Sequence, residues 1–158
     1  VTGIPVHLEF YEMFHAATAG VMRNIENKKL KRKPAYGAQI ESDWQISIEG
    51  ALGEFALCKH LGVFWLGKGG FRGADLYDKA GEPMEVRTSQ FGGENVHLPL
   101  YERDHDDRKY WLLTGRNGDY TVHGWIYARD GKRAEFWRQV KAGRSHAFWV
   151  PKSELALP

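Results

Sequence analysis

Asp75 and Glu85 stand ten residues apart, and Arg87 follows the second carboxylate by two. Between them, Asp78-Lys79-Ala80-Gly81 suits a tight reversal, because Gly81 takes positive φ without a Cβ penalty. A hairpin over residues 73–88 would bring Asp75 near Glu85. In a strand, residues i and i+2 share a face. Glu85 and Arg87 should therefore point one way, with Met84 and Val86 turned into a core. Two carboxylates held close repel unless a cation lies between them, so the pair suits a divalent metal with oxygen ligands.

A third carboxylate lies upstream in Ile48-Glu-Gly-Ala-Leu-Gly-Glu-Phe-Ala-Leu-Cys58, which has helical spacing. There Glu54 shares a face with Gly50, Ala51 and Cys58, a small-residue surface expected to be half-buried. Glu49 falls on another face with Gly53 and His60 and is expected in solvent. Two glycines inside a helix cost about 1 kcal/mol each relative to alanine, which signals close packing. Alone, Glu54 reads as an ordinary exposed helical glutamate; beside the hairpin it completes a constellation.

Hydrolysis of a phosphodiester needs a metal to activate water and to neutralise developing charge. Asp75 and Glu85, with the carbonyl of Val86, would bind Mg²⁺ or Mn²⁺. Glu54 would bind a second ion or hold a metal-bound water. Arg87 would stabilise the pentavalent phosphate or orient the nucleophile. Five basic residues, Lys28, Lys29, Lys31, Arg32 and Lys33, crowd six positions and could contact a DNA backbone. Their bland reading is a solvated helix end with cations at the negative pole of the dipole. Lys68 and Arg72, in a glycine-rich loop, could also reach phosphate, and Gln90 could touch DNA or a metal-bound water. Each reads equally as a surface loop residue.

The elements that must carry these groups follow from periodicity. A helix over about 8–30 has Phe10, Phe14, Ala17, Val21 and Ile25 on one apolar stripe. Pro34 and Gly37 end it. A second helix runs from about Ser42 to Leu61, with Ser42 or Asp43 as N-cap and Trp44, Ile48, Leu52, Phe55 and Leu61 on its apolar face. After the hairpin, Val96–Leu100 reads as a short edge strand, since Pro99 removes a donor. Lys109–Thr114 reads as a buried strand, Arg116–Asp119 as a turn, and Tyr120–Tyr127 as the antiparallel neighbour. Residues 129–140 have helical spacing in Ala134, Trp137 and Val140, and Ala147–Val150 is a last strand. The expectation is an α/β (α+β) domain with a central mixed sheet flanked by helices. It divides into 1–40 (helix and basic segment), 42–127 (core) and 128–158 (closing helix and strand).

The chain of 158 residues is long enough for one domain with a real core. A net charge of +2 excludes nothing by itself, while an aromatic share of 13% with six Trp supplies large buried anchors. The lone Cys58 excludes an internal disulfide and a cysteine-based zinc site, and its apolar setting suggests a buried thiol. No apolar run approaches the roughly 20 residues of a membrane span, and no signal pattern opens the sequence, so a cytoplasmic protein is expected. His97, His105, His123 and His146 lack ligand spacing, and His105-Asp106-Asp107 reads as a charged turn rather than a cation site. Ser145 and Ser153 lack the frame of a serine hydrolase.

The pattern resembles the PD-(D/E)XK nuclease superfamily, with its restriction-endonuclease-like fold. Gly53-Glu54-Phe55-Ala56 is similar to its helical Glu, Gly73-Ala74-Asp75-Leu76 to its Asp, and Glu85-Val86-Arg87-Thr88 to its E-x-K strand. Tyr110-Trp-Leu-Leu-Thr-Gly115, Gly124-Trp-Ile126 and Trp149-Val-Pro-Lys-Ser-Glu-Leu155 resemble a group of small phage-encoded members. The resemblance implies metal-dependent cleavage of DNA, by an endonuclease or resolvase-like enzyme of phage DNA metabolism. Enzymes of that kind often cut both strands as homodimers, although no segment here marks an interface. Arg87 stands where the superfamily usually has Lys; it keeps the charge and can fork onto phosphate oxygens, but does not readily deprotonate. A catalytically weak or inactive DNA-binding protein on the same fold, or a protein-interaction domain, are the alternative expectations.

Overall fold

The structure is a computed structural model that describes residues 3–31, 43–67, 73–140 and 142–158. Ser42, Pro34, Gly37, Arg32, Lys33, Lys68 and Arg72 lie outside the described residues. The order is β1 (Ile4–His7), α1 (Phe10–Lys29), α2 (Asp43–Leu61), β2 (Leu76–Tyr77), β3 (Pro83–Ser89), β4 (His97–Leu100), β5 (Lys109–Arg116), β6 (Asp119–Tyr127), α3 (Ala128–Gly131), β7 (Trp137–Arg138) and β8 (Ala147–Pro151). Short 3₁₀ turns cover Ala134–Phe136 and Lys152–Glu154. The protein is thus mixed α+β.

The main sheet is five-stranded in the order β1-β6-β5-β3-β2. Its pairs are antiparallel except β3 with β5, which run parallel with Glu85 opposite Tyr110 and Arg87 opposite Leu112. The hairpin forms as its turn residues dictate: Gly81 has φ +82°, and the Asp78 carboxylate accepts the N–H groups of Ala80 and Glu82, both at 2.9 Å. Lys109 clamps this turn to β5, reaching Asp78 at 3.2 Å and Glu82 at 2.8 Å.

The two faces of this sheet are covered differently. Met84, Trp111, Leu113 and Val122 pack with Leu52, Ala56 and Leu57 of α2 in one core. On the other face Tyr110 and Leu112 pack with Leu98, Leu100 and Val150. Those residues belong to a second, antiparallel sheet in the order β4-β8-β7. Helices on both faces were expected; a small sheet covers one of them. Its strands are short and separated in sequence by the main sheet, so local patterning does not show that they pair with each other.

Three further expectations are corrected. Phe10 and Phe14 are 84% and 62% exposed, and the buried residues of α1 are Ala16, Gly20 and Asn24. The cause is a close helix crossing: a Cβ on Gly20 would lie 2.6 Å from the Ser47 carbonyl of α2. Small residues win that contact, and the large apolar stripe turns outward. Trp44 is likewise 41% exposed rather than part of the core. Finally, residues 129–140 form only the short α3, a 3₁₀ turn and β7. Trp137 pairs with Phe148 across β7 and β8, so sheet pairing overrides the helical spacing.

Candidate active site

Asp75 sits where the chain enters β2, and the register Leu76↔Met84 carries it alongside Glu85. Its Oδ2 accepts the Val86 N–H at 3.0 Å, fixing the carboxylate against β3. In a sheet, a residue's N–H and C=O leave the strand on the same side. The Val86 carbonyl is therefore directed to the edge that Asp75 occupies. Asp75 and Glu85 share a side-chain hydrogen bond. Glu85 is buried while Asp75 is half-buried, so the pair lies at a partly open edge of the sheet.

Burial pushes the Glu85 carboxyl up to about 8, and the neighbouring Asp75 adds to the rise by its charge and its hydrogen bond. Glu85 therefore keeps its proton near neutrality. A guanidinium opposes the shift without cancelling it, and it belongs to Arg108, which donates through Nη1 to Glu85 Oε1. The same Nη1 reaches the Gly73 carbonyl at 3.5 Å. Arg108 falls in a charged turn before β5, and its parallel pairing with β3 puts it beside Glu85, with Met84 opposite Lys109. Sequence spacing does not reveal this residue, since only the crossover joins it to the hairpin.

Arg87 shares the Glu85 face, as the strand period requires. It is drawn to Asp104, donating to Oδ1 at 2.9 Å, and lies over the Tyr110 ring at 5.1 Å from the centroid. Asp104 is itself buried and also accepts the Tyr101 N–H at 2.8 Å. Arg108 thus touches Glu85, and Arg87 has a carboxylate from the 101–108 turn.

Glu54 is buried at 7% exposure on α2, as its small-residue face predicts. Arg23 of α1 grips it with two parallel bonds, Nη1 to Oε1 and Nη2 to Oε2, each 2.7 Å. Trp65 Nε1 adds a third at 3.0 Å to Oε2. Burial raises the Glu54 carboxyl and Asp75 raises it further, while Arg23 and Trp65 pull it back. The charge of Asp75 raises both Glu54 and Glu85. Arg23 also feels the Asp75 charge, which favours its protonated form. Glu49, expected in solvent, instead accepts the Tyr120 hydroxyl at 2.6 Å and ties α2 to β6.

Of the basic segment, Lys28 pairs with Asp43 at 3.1 Å and lies over Trp44, and Lys29 and Lys31 are exposed. Gln90 lies just after β3, half-buried. In the His105-Asp106-Asp107 run, Asp106 pairs with Lys132 and Asp107 with Arg129, as a charged turn should. Cys58 is buried and free, and burial pushes its thiol up to about 12.

Among the described residues, no group of three or more His, Cys, Asp or Glu side chains has the geometry to hold a metal ion. What the site offers is smaller: two carboxylates in contact, with a backbone carbonyl aimed at the same edge. Mg²⁺ takes such sets, because it keeps several waters and needs only one or two carboxylates.

The fold and site define a mixed α+β protein with a carboxyl pair, Asp75 and Glu85, at a partly open sheet edge. No family model, curated protein or solved structure matches the chain. No helix among the described residues is long and apolar enough to cross a membrane.

Proposed function

We propose that this chain is a Mg²⁺- or Mn²⁺-dependent deoxyribonuclease with a restriction-endonuclease-like core. Its reaction would be phosphodiester hydrolysis, by an endonuclease or resolvase-like enzyme of phage DNA metabolism acting in the host cytoplasm. The observation that carries the reading is the Asp75–Glu85 contact, where burial and like charge hold a proton that a divalent cation would replace.

Asp75 and Glu85, with the Val86 carbonyl, would hold the ion. When bound, the ion supplies Lewis acidity and a water of lowered pKa. Asp75 is oriented for the task by the Val86 N–H. Glu54 Oε1 carries a single bond from Arg23, which leaves it a lone pair for a water. Arg108 supplies positive charge beside Glu85, where charge would develop on a phosphate. Arg87, anchored by Asp104, extends that field along β3. Lys28, Lys29 and Lys31, with Arg32, Lys33, Lys68 and Arg72, would track the DNA backbone, and Gln90 would reach it beyond β3.

A second reading has its own observation. Glu54 and Glu85 each already carry a guanidinium, from Arg23 and Arg108, in the place a cation would take. That favours a DNA-binding protein in which catalysis is weak or lost. Incubation with supercoiled, linear, single-stranded and branched DNA, in Mg²⁺, Mn²⁺ or EDTA, separates the two. Metal-dependent cleavage that disappears in Asp75→Ala and Glu85→Ala is the expected outcome. Cleavage that persists in both variants overturns the site, and binding without cleavage selects the second reading.

A further inference from the structure

Beyond the C-terminal end of β3 lies a groove of about 580 Å³. It is lined by Ser89, Phe91, Asn95, His97, Arg138 and Trp149, among others. That volume lies within the range of small-ligand sites. The floor is the outer face of the small sheet. Leu98 and Val150, paired across β4 and β8, face the core, so Trp149, next to Val150 on β8, turns away from it. The opposite wall is the segment 89–96. Gly92 packs it on Thr114, where a Cβ would meet Oγ1 at 3.3 Å, and Lys152 holds the Gly93 carbonyl at 3.3 Å.

The wall presents an aromatic ring that has no structural use. Phe91 is 79% exposed, at the mouth of the groove. Trp149, also in the lining, is fixed by its indole N–H, which donates to the Arg138 carbonyl at 3.2 Å. The Arg138 side chain is exposed and has no ion-pair partner among the described residues. Asn95 and Ser89 add short polar groups. Two aromatic faces with a free guanidinium and an amide fit a flat heterocycle joined to a phosphate.

We infer that this groove binds an unpaired nucleotide of single-stranded DNA, the base between Phe91 and Trp149 and a phosphate on Arg138. The inference rests on the nuclease reading for its choice of DNA. Ser89 lies four residues beyond Glu85 on one strand, about 13 Å at ~3.3 Å per residue. A strand seated in the groove therefore leads along β3 to the carboxyl pair. The substrate this selects is DNA with an unpaired stretch beside the cut, such as a flap, gap or branch, over continuous duplex.

The test measures binding of a fluorescent single-stranded oligonucleotide and of a blunt duplex by anisotropy, in EDTA so that no cleavage intervenes. Phe91→Ala and Arg138→Gln alter exposed side chains, so folding is retained. Base stacking is worth ~1–3 kcal/mol, so Phe91→Ala should weaken single-strand binding about 5- to 150-fold. Duplex binding should change little. Arg138→Gln should lower the slope of log affinity against log salt by about 0.7, one phosphate contact on a single strand. Single-strand affinity equal to the parent's in both variants overturns the inference, as does an equal loss on duplex. Failure of the parent to bind the single strand at low salt overturns it too. The nuclease reading fails separately, if metal-dependent cleavage is absent while these EDTA results hold.

Discussion

Glu54 and Glu85 are both buried glutamates that feel the charge of Asp75, and each carries an arginine. They are nevertheless in different states. Glu54 is gripped by two bonds from Arg23 and a third from Trp65. Glu85 has one guanidinium bond, and its other close partner is a second carboxyl group. Glu54 is thus matched by donors, whereas Glu85 is matched by a donor and an acceptor. An acceptor facing an acceptor needs a proton or a cation between them.

The largest expected effect tests that division directly. Arg23→Met keeps an apolar stem but takes both guanidinium bonds from the buried Glu54. Breaking a buried pair in this way costs ~3–5 kcal/mol. Arg108→Met leaves Glu85 protonated near neutrality, so only a hydrogen bond to a neutral carboxyl is lost, costing about 1–3 kcal/mol. Urea unfolding near pH 6 should therefore rank Arg23→Met well below Arg108→Met. Equal losses would mean that the two guanidiniums stabilise their carboxyls alike, and the contrast would fall.

A next test uses pH. Glu85 sits at about 8 in the folded chain, against roughly 4.3 in an unfolded one. Folding therefore takes up a proton on this group between those values. Its stabilising contribution is complete below about pH 4.3 and is lost as pH rises through 8. The slope can reach about 1.4 kcal/mol per pH unit in that window. Glu85→Gln should remove the larger part of it. Mg²⁺ bound to the pair would compete with the proton, so it should raise the unfolding midpoint more at pH 8.5 than at pH 6. A flat wild-type profile from pH 5 to 8 would contradict a proton-holding pair.

Much of this contrast was legible in the sequence, and what was not has a common cause. The hairpin, its turn at Gly81, the approach of Asp75 to Glu85 and the burial of Glu54 all follow from local periodicity and turn chemistry. The partners did not. Arg23, Arg108 and Asp104 reach the three motif residues from other elements, through a helix crossing and a parallel strand pairing. The same helix crossing reversed the α1 stripe, because Gly20 had to meet α2 closely. Likewise the small sheet joins β4 to β8 across the whole main sheet, beyond the reach of any local window. Nothing in a single sequence announces such contacts, yet they decide which carboxylate is neutralised and by what.

The smallest effects concern the backbone under Glu54, where two glycines of α2 looked alike. A Cβ at Gly53 would fall 2.1 Å from Thr88 Oγ1, so the helix rests directly on β3 there. A Cβ at Gly50 meets nothing within 4 Å. Gly53→Ala should therefore cost ~1–3 kcal/mol as an overpacked contact, and it should shift Glu54 relative to the hairpin. Gly50→Ala should instead stabilise, by about 0.5–1 kcal/mol, because alanine limits the unfolded chain and suits a helix. Thermal unfolding of both variants gives the signs at once. If Gly50→Ala also destabilises, something seats against that face of α2, and the expectation that both glycines mark close packing is restored. If Gly53→Ala is neutral, Thr88 has room to turn away. The spacing between α2 and β3, and with it the placement of Glu54 against Glu85, would then be softer than the register implies.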